Sequence, residues 1–193
     1  LIDLARQSAP VLMIAVGMTL VIATRGIDLS VGSVMAVSGA ASMEFLAGSD
    51  GSPGSALIAL LLALGLSVVL GLVSGALVAY IGLPPFITTL IMLLAARGIA
   101  RVITGGQNTA ATSESFRWIA NGTILGFPVV FLIAAVVIAL VALVVRRTAL
   151  GLMIESLGIN PKASRLLGIR PSGLLLTVYG LSALLAGIGG IFA

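Results

Sequence analysis

The chain has 193 residues, of which 60% are apolar and only 8% charged, with a formal net charge of +4 and a mean hydropathy of +1.28. A water-soluble domain carries about 25% charged residues, so this composition excludes one and makes lipid the solvent for much of the surface. With no cysteine, no histidine and only ten basic side chains, the chain lacks the ligands of the usual zinc sites, the commonest general base and the basic face that nucleic-acid binding needs.

The apolar runs, taken in order, mark the membrane spans. The first two, 10–24 and 31–47, are each short of the roughly 20 residues that a crossing helix needs. Between them Arg25-Gly26-Ile27-Asp28-Leu29-Ser30 interrupts the pattern. This is either a tight turn joining two spans or a break within the membrane, where non-helical backbone survives only when buried in protein or lining a cavity. The run 56–81 contains no charge and is the clearest span. Along it Ala63, Ser67, Gly71, Gly75 and Ala79 recur every fourth residue, and small residues at that spacing let helices approach closely in lipid. Ala183 and Gly187 repeat the spacing near the end of the chain. A weaker span over 82–104 opens on Leu83-Pro84-Pro85-Phe86 and carries Arg97 and Arg101 on one helical face. Spans over 126–145 and 173–193 follow. The expectation is a single all-α domain over 1–193, a polytopic transmembrane helix bundle with about six spans. The chain begins without methionine and stops inside an apolar run, which reads as a fragment of a longer protein.

Charge sets the orientation. The loop 146–172 holds Arg146, Arg147, Lys162, Arg165 and Arg170 against one acid, Glu155, so the excess of Lys and Arg places it in the cytoplasm. Counting backwards puts 105–125 outside, 82–85 inside, 48–55 outside, 25–30 inside and 1–9 outside. Within the cytoplasmic loop, Asn160 suits an N-cap and Pro161 the first helical position, while Gly168 can end the helix in the left-handed conformation. The helix over 161–167, which includes Ala163 and Ser164, would present Lys162 and Arg165 on one side, with Leu166 and Leu167 elsewhere. Such a helix either docks into a groove on a partner protein or rests on lipid headgroups.

Three motifs go beyond generic membrane composition. Gly26-Ile27-Asp28-Leu29-Ser30-Val31-Gly32 resembles the signature of permease subunits of ribose-type bacterial ABC monosaccharide importers. Pro85-Phe86-Ile87-Thr88-Thr89-Leu90, followed by Ala96-Arg97-Gly98 and Thr104-Gly105-Gly106-Gln107, is similar to a second block of that family. Arg147-Thr148-Ala149-Leu150-Gly151 and Gly158-Ile159-Asn160-Pro161-Lys162-Ala163-Ser164-Arg165-Leu166-Leu167-Gly168 resemble its cytoplasmic coupling loop, most of all in the galactofuranose permeases. The resemblance implies about ten spans in the full protein, with one before Leu1 and about three after Ala193. It also implies a coupling helix at 160–168 that meets separate ATPase subunits, a periplasmic sugar-binding protein, a second permease copy in a homodimer, and a place in the bacterial inner membrane. The family usually has Gly where this chain has Arg25.

The chain has no G-x-x-x-x-G-K-[ST] loop to cradle ATP phosphates, so it is expected to be no enzyme and to carry no cofactor or metal. Candidate residues of a translocation path or gate are Asp28, Ser30, Thr88, Thr89, Arg97 and Gln107, with Asn108 beside the last. Each has a structural reading as well. Asp28 can cap the helix that follows, hold its own turn or pair with Arg25. Arg97 and Arg101 can snorkel to the outer interface, and the threonines can bond their own helix. Ser67, Gly71 and Gly75 are the candidate packing residues. The rival function is an ion-coupled secondary transporter of a small polar solute, which would show paired interrupted helices in two repeated halves. One interruption is present, at 25–32.

Overall fold

In lipid, backbone polar groups find partners only within the chain, so long charge-free runs fold as helices. The computed structural model describes residues 2–107, 114–124 and 126–193. Its elements are α1 (Ile2–Ala23), α2 (Val31–Ala47), α3 (Pro53–Ala76) continued by a π-helical turn (Leu77–Ile81), α4 (Pro85–Ile103), α5 (Glu114–Asn121), β1 (Thr123–Ile124), β2 (Phe127–Pro128), α6 (Val129–Arg147), α7 (Ala149–Ile159), α8 (Pro161–Leu166) and α9 (Pro171–Phe192). The two strands form a small antiparallel hairpin with Ile124 opposite Phe127.

Five helices (α1, α3 with its π-turn, α4, α6 and α9) are long and apolar enough to cross a membrane. A sixth crossing follows from topology. The Thr89 hydroxyl near the start of α4 donates to the Ile27 carbonyl just before α2, so α2 and α4 start on one side. The intervening α3 ends on that side and begins on the other, where α2 must finish. With 17 residues, α2 is about 26 Å long at 1.5 Å per residue, enough for most of a bilayer core. The first apolar run, which looked short, is one helix of 22 residues that continues N-terminally through Pro10 to Ile2. Pro10 is buried in it, and its carbonyl lies 3.2 Å from where a Cβ on Gly189 of α9 would sit.

The ends of α1 confirm which loops share a side. Arg6 donates to the Asn121 carbonyl at 3.1 Å, joining the start of α1 to the end of α5. Arg25, past the other end, donates to the Gly158 and Ile159 carbonyls at the end of α7. The start of α1 and the end of α5 therefore lie together, as do the turn after α1 and the end of α7, and these pairs share a side in the charge count as well.

The core is organised around α9, the most buried of the long helices, with α1, α2 and α3 packed on it. The small-residue face of α3 is what lets α9 approach. A Cβ on Gly71 would overlap the Ala183 side chain and come within 2.6 Å of the Tyr179 carbonyl, and one on Gly75 would come within 3.2 Å of the Leu176 backbone. From the other side, a Cβ on Gly187 would sit 2.6 Å from the Ser67 hydroxyl, which is turned back onto the Ala63 carbonyl. The buried face of α3 ends at Ser74 and Gly75. Ala79 falls in the π-turn and is only half-buried, because the wider turn rotates the following residues off the four-residue repeat.

Candidate translocation groove and coupling helix

The turn between α1 and α2 is built from short polar bonds. Its Thr24 hydroxyl donates to the Val21 carbonyl, and the Gly26 amide returns to the same oxygen. Asp28 is only 3% exposed. One carboxylate oxygen accepts from the Ser30 amide and hydroxyl at 3.0 and 2.6 Å, and the other from the Ser182 hydroxyl of α9 at 3.2 Å. Asp28 therefore holds its own turn and pins it to α9. Neither it nor Ser30 caps α2 through a side chain, and no ion pair joins Asp28 to Arg25 among the described residues. Gly26 is required for close approach: a Cβ there would press on Val21 at 2.8 Å and on the Tyr179 hydroxyl at 3.0 Å.

Arg25 adopts φ +64°, the only positive φ outside glycine among the described residues. For an L-residue this conformation costs about 1–2 kcal/mol. The guanidinium offsets it by gripping two carbonyls at the negative end of α7, with Nη2 at 2.6 Å from Ile159, a charge-assisted pair favoured by the helix dipole. That gives the departure at Arg25 a physical place: the backbone is the one glycine favours, and the side chain has found separate work.

Along the bundle surface between α2 and α4 lie two cavities that share Ala36 and Arg97 in their linings, the larger also bounded by Gly190 and Ala193 at the end of α9. The smaller, about 330 Å³, lies toward the inner turn and includes Leu29, Gly32, Ser33 and Leu93. The larger, about 600 Å³, continues to the outer end past Met43, Arg101, Thr104 and Gln107. Arg97 lies about 18 Å along α4 from Pro85 and about 9 Å from its last residue, Ile103, at 1.5 Å per residue. Neither the Arg97 nor the Arg101 side chain has an ion-pair or hydrogen-bond partner among the described residues. A charged arginine at the centre of a span costs about 2.5–3.5 kcal/mol on insertion scales, a cost that water or protein on this face lowers, as does snorkelling of the side chain to the outer interface. Thr88 and Thr89 lie elsewhere, fully buried. Thr89 bonds to the Pro85 and Ile27 carbonyls, while the Thr88 hydroxyl has no partner among the described residues. Asn108 lies outside the described residues.

The loop 146–172 is more structured than its composition suggests. Thr148 caps α7 by accepting from the Leu150 amide and donating to the Val144 carbonyl, and Gly151 lets the chain double back against Val145. The Asn160 side chain then accepts from the Lys162 and Ala163 amides at 3.1 Å each, with Pro161 in the first turn of α8. Gly168 ends the unit at φ +84°. Ser164 alone of α8 is buried, its hydroxyl on the Asn160 carbonyl. Lys162, Ala163 and Arg165 face outward, flanked by Leu166 and Leu167, which are 90% and 78% exposed.

A family model described as the permease component of branched-chain amino acid transport systems matches residues 1–193. The chain belongs to this permease family. It is 54% identical to the fructose import permease FruF of Bifidobacterium longum, over 100% of this chain and 54% of that protein. It is 43% identical to the galactofuranose transporter permease YtfT of Escherichia coli K12, over 98% of this chain and 54% of that protein. The ribose import permease RbsC of the same strain is 39% identical over 99% of this chain and 60% of its own length. The chain thus spans little more than half the length of these curated relatives. No solved structure matches it.

Within this permease, the expected site residues separate into three groups. Arg97 and Gln107 line the groove, whereas Asp28, Ser30, Thr88 and Thr89 are buried in the framework around its inner end. Asn160–Gly168 form the capped helix. Sequence reasoning missed Gly32, Ser33 and Ala36, because small residues on an apolar helix signal packing and cavity lining equally. It also missed the tie from Arg25 to α7, which joins residues more than 130 positions apart.

Proposed function

We propose that this permease is the membrane-spanning subunit of an ATP-driven importer that moves a monosaccharide along the groove between α2 and α4. The observation that carries this reading is the pair of arginines, Arg97 and Arg101, whose side chains have no partner among the described residues and which line two adjacent cavities with Ser33, Thr104 and Gln107. A hydroxyl-rich solute supplies acceptors for such donors, and the hydrocarbon core of the bilayer does not. A second permease copy, in a homodimer, closes the open side of the groove, and a periplasmic binding protein delivers sugar at its outer end. ATP is hydrolysed on separate ATPase subunits, which take α8 into a groove through its outward face and the apolar Leu166 and Leu167. The chain itself performs no covalent chemistry and holds no cofactor or metal. The assembly sits in the bacterial inner membrane.

The named relatives are importers of fructose, galactofuranose and ribose, which supports a monosaccharide, while the family description names branched-chain amino acids. The test is uptake by the full transporter reconstituted in proteoliposomes with its ATPase and binding protein. Radiolabelled fructose, galactofuranose, ribose and leucine are offered with ATP, without ATP, and with a sodium or proton gradient alone. ATP-dependent uptake of one sugar is expected. Uptake of leucine alone overturns the substrate class, and uptake driven by an ion gradient without ATP overturns the mechanism.

A further inference from the structure

The cytoplasmic helix α8 and the inner end of the groove are far apart in sequence, yet one side chain joins them. The Arg25 guanidinium donates from Nε and Nη2 to the carbonyls of Gly158 and Ile159. The next residue is Asn160, whose side chain caps α8. Backbones meet at the same point, because a Cβ on Gly158 would collide with the Ala23 carbonyl at the end of α1. Arg25 is also part of the turn that leads into α2. Two residues on, the Ile27 carbonyl accepts from Thr89 of α4, and Asp28 is held by Ser182 of α9. Leu29, Gly32 and Ser33, which follow directly, line the inner cavity.

We propose that Arg25 is a positioning residue that locks the end of α7, and with it α8, to the turn at the inner end of the groove, so that force on α8 reaches α2 and α4. The inference rests on the reading of the chain as an ATP-driven permease. Two features separate this role from that of a loose topology charge. The contact is a fork onto two successive carbonyls, which a lysine cannot reproduce with its single ammonium. The backbone at Arg25 also holds a conformation suited to glycine, so the side chain persists there against local backbone preference.

The test uses the full transporter with its ATPase and binding protein, carrying Arg25→Gly or Arg25→Lys. Glycine relieves the backbone strain and removes the fork, so the fold and ATPase co-purification should survive. Sugar moved per ATP hydrolysed is measured alongside the thiol-labelling rate of a cysteine at Ser33, with and without bound ATPase. Both variants should lower the transport ratio by about fivefold or more, the low end of coupling between distinct sites. They should also abolish the response of the residue 33 label to ATPase binding. A wild-type ratio in Arg25→Gly overturns the proposal. A wild-type ratio in Arg25→Lys reduces the residue to a charge and also overturns it. Loss of ATPase co-purification in both variants makes Arg25 a purely structural prop, contrary to the proposal. If the unmodified transporter shows no ATP-driven uptake, the functional reading fails first and the inference falls with it.

Discussion

Arg6 and Arg25 bracket α1, and each uses its guanidinium on carbonyls left open at the end of another helix, α5 on one side and α7 on the other. Asp28 does the complementary work, accepting three hydrogen bonds in a place almost closed to solvent. Asp28→Ala leaves the Ser30 amide and the hydroxyls of Ser30 and Ser182 without their acceptor. An unsatisfied buried group costs about 1–3 kcal/mol, so the thermal midpoint of the purified protein should fall by several degrees. Asp28→Asn, which keeps an acceptor oxygen, should lose less. Equal midpoints for wild type and Asp28→Ala would show that these bonds do not hold the turn. The turn at Arg25–Ser30 was legible as an interruption, and the Asp28–Ser30 bond was one of its possible forms. The bond to Ser182 was not legible, since a serine on an apolar helix usually bonds to its own backbone.

At the scale of elements, α3 and α9 meet through residues with almost no side chain, and α8 exists because its first turn is capped. Gly71→Leu drives a side chain into the Tyr179 carbonyl and Ala183, where the helix backbone cannot yield as a flexible side chain would. Overpacking of this kind costs about 1–3 kcal/mol or more, so assembly yield and thermal midpoint should both drop. Val69→Leu, on the exposed face of the same helix, should leave both unchanged. A normal midpoint for Gly71→Leu would mean that α3 does not pack on α9 through this stripe. Asn160→Ala removes the acceptor for two amides of α8, at about 1 kcal/mol. The Lys162 and Ala163 amides should exchange with deuterium roughly fivefold faster, and ATPase co-purification should weaken. Unchanged exchange would show that Pro161 and packing alone hold α8. Asn160, Pro161 and Gly168 made α8 readable because capping is local chemistry. Its neighbour α7 was hidden: Ala149–Ile159 is too short for a span, and its buried face of Gly151, Ile154 and Leu157 is defined by α1 and α6, which the sequence does not place.

For the whole molecule, the positive charges fixed which loops share a side, and the ties from α1 agree with them. Span positions were readable because lipid demands long apolar helices. The groove was not, because it depends on how α2 and α4 are rotated about their axes, and small residues with two arginines permit several rotations. Ala36 lines both of its cavities, and the chain has no native cysteine to confuse a label. The decisive measurement is therefore the reaction of Ala36→Cys in the full transporter with a small membrane-impermeant thiol reagent, applied from each side with and without ATP. If the groove carries solute, the reagent reaches residue 36, the reactive side changes when ATP binds, and the transported sugar slows the reaction. If only a lipid-soluble maleimide reaches residue 36, with no effect of ATP or sugar, the face between α2 and α4 is lipid-covered and the translocation path lies elsewhere.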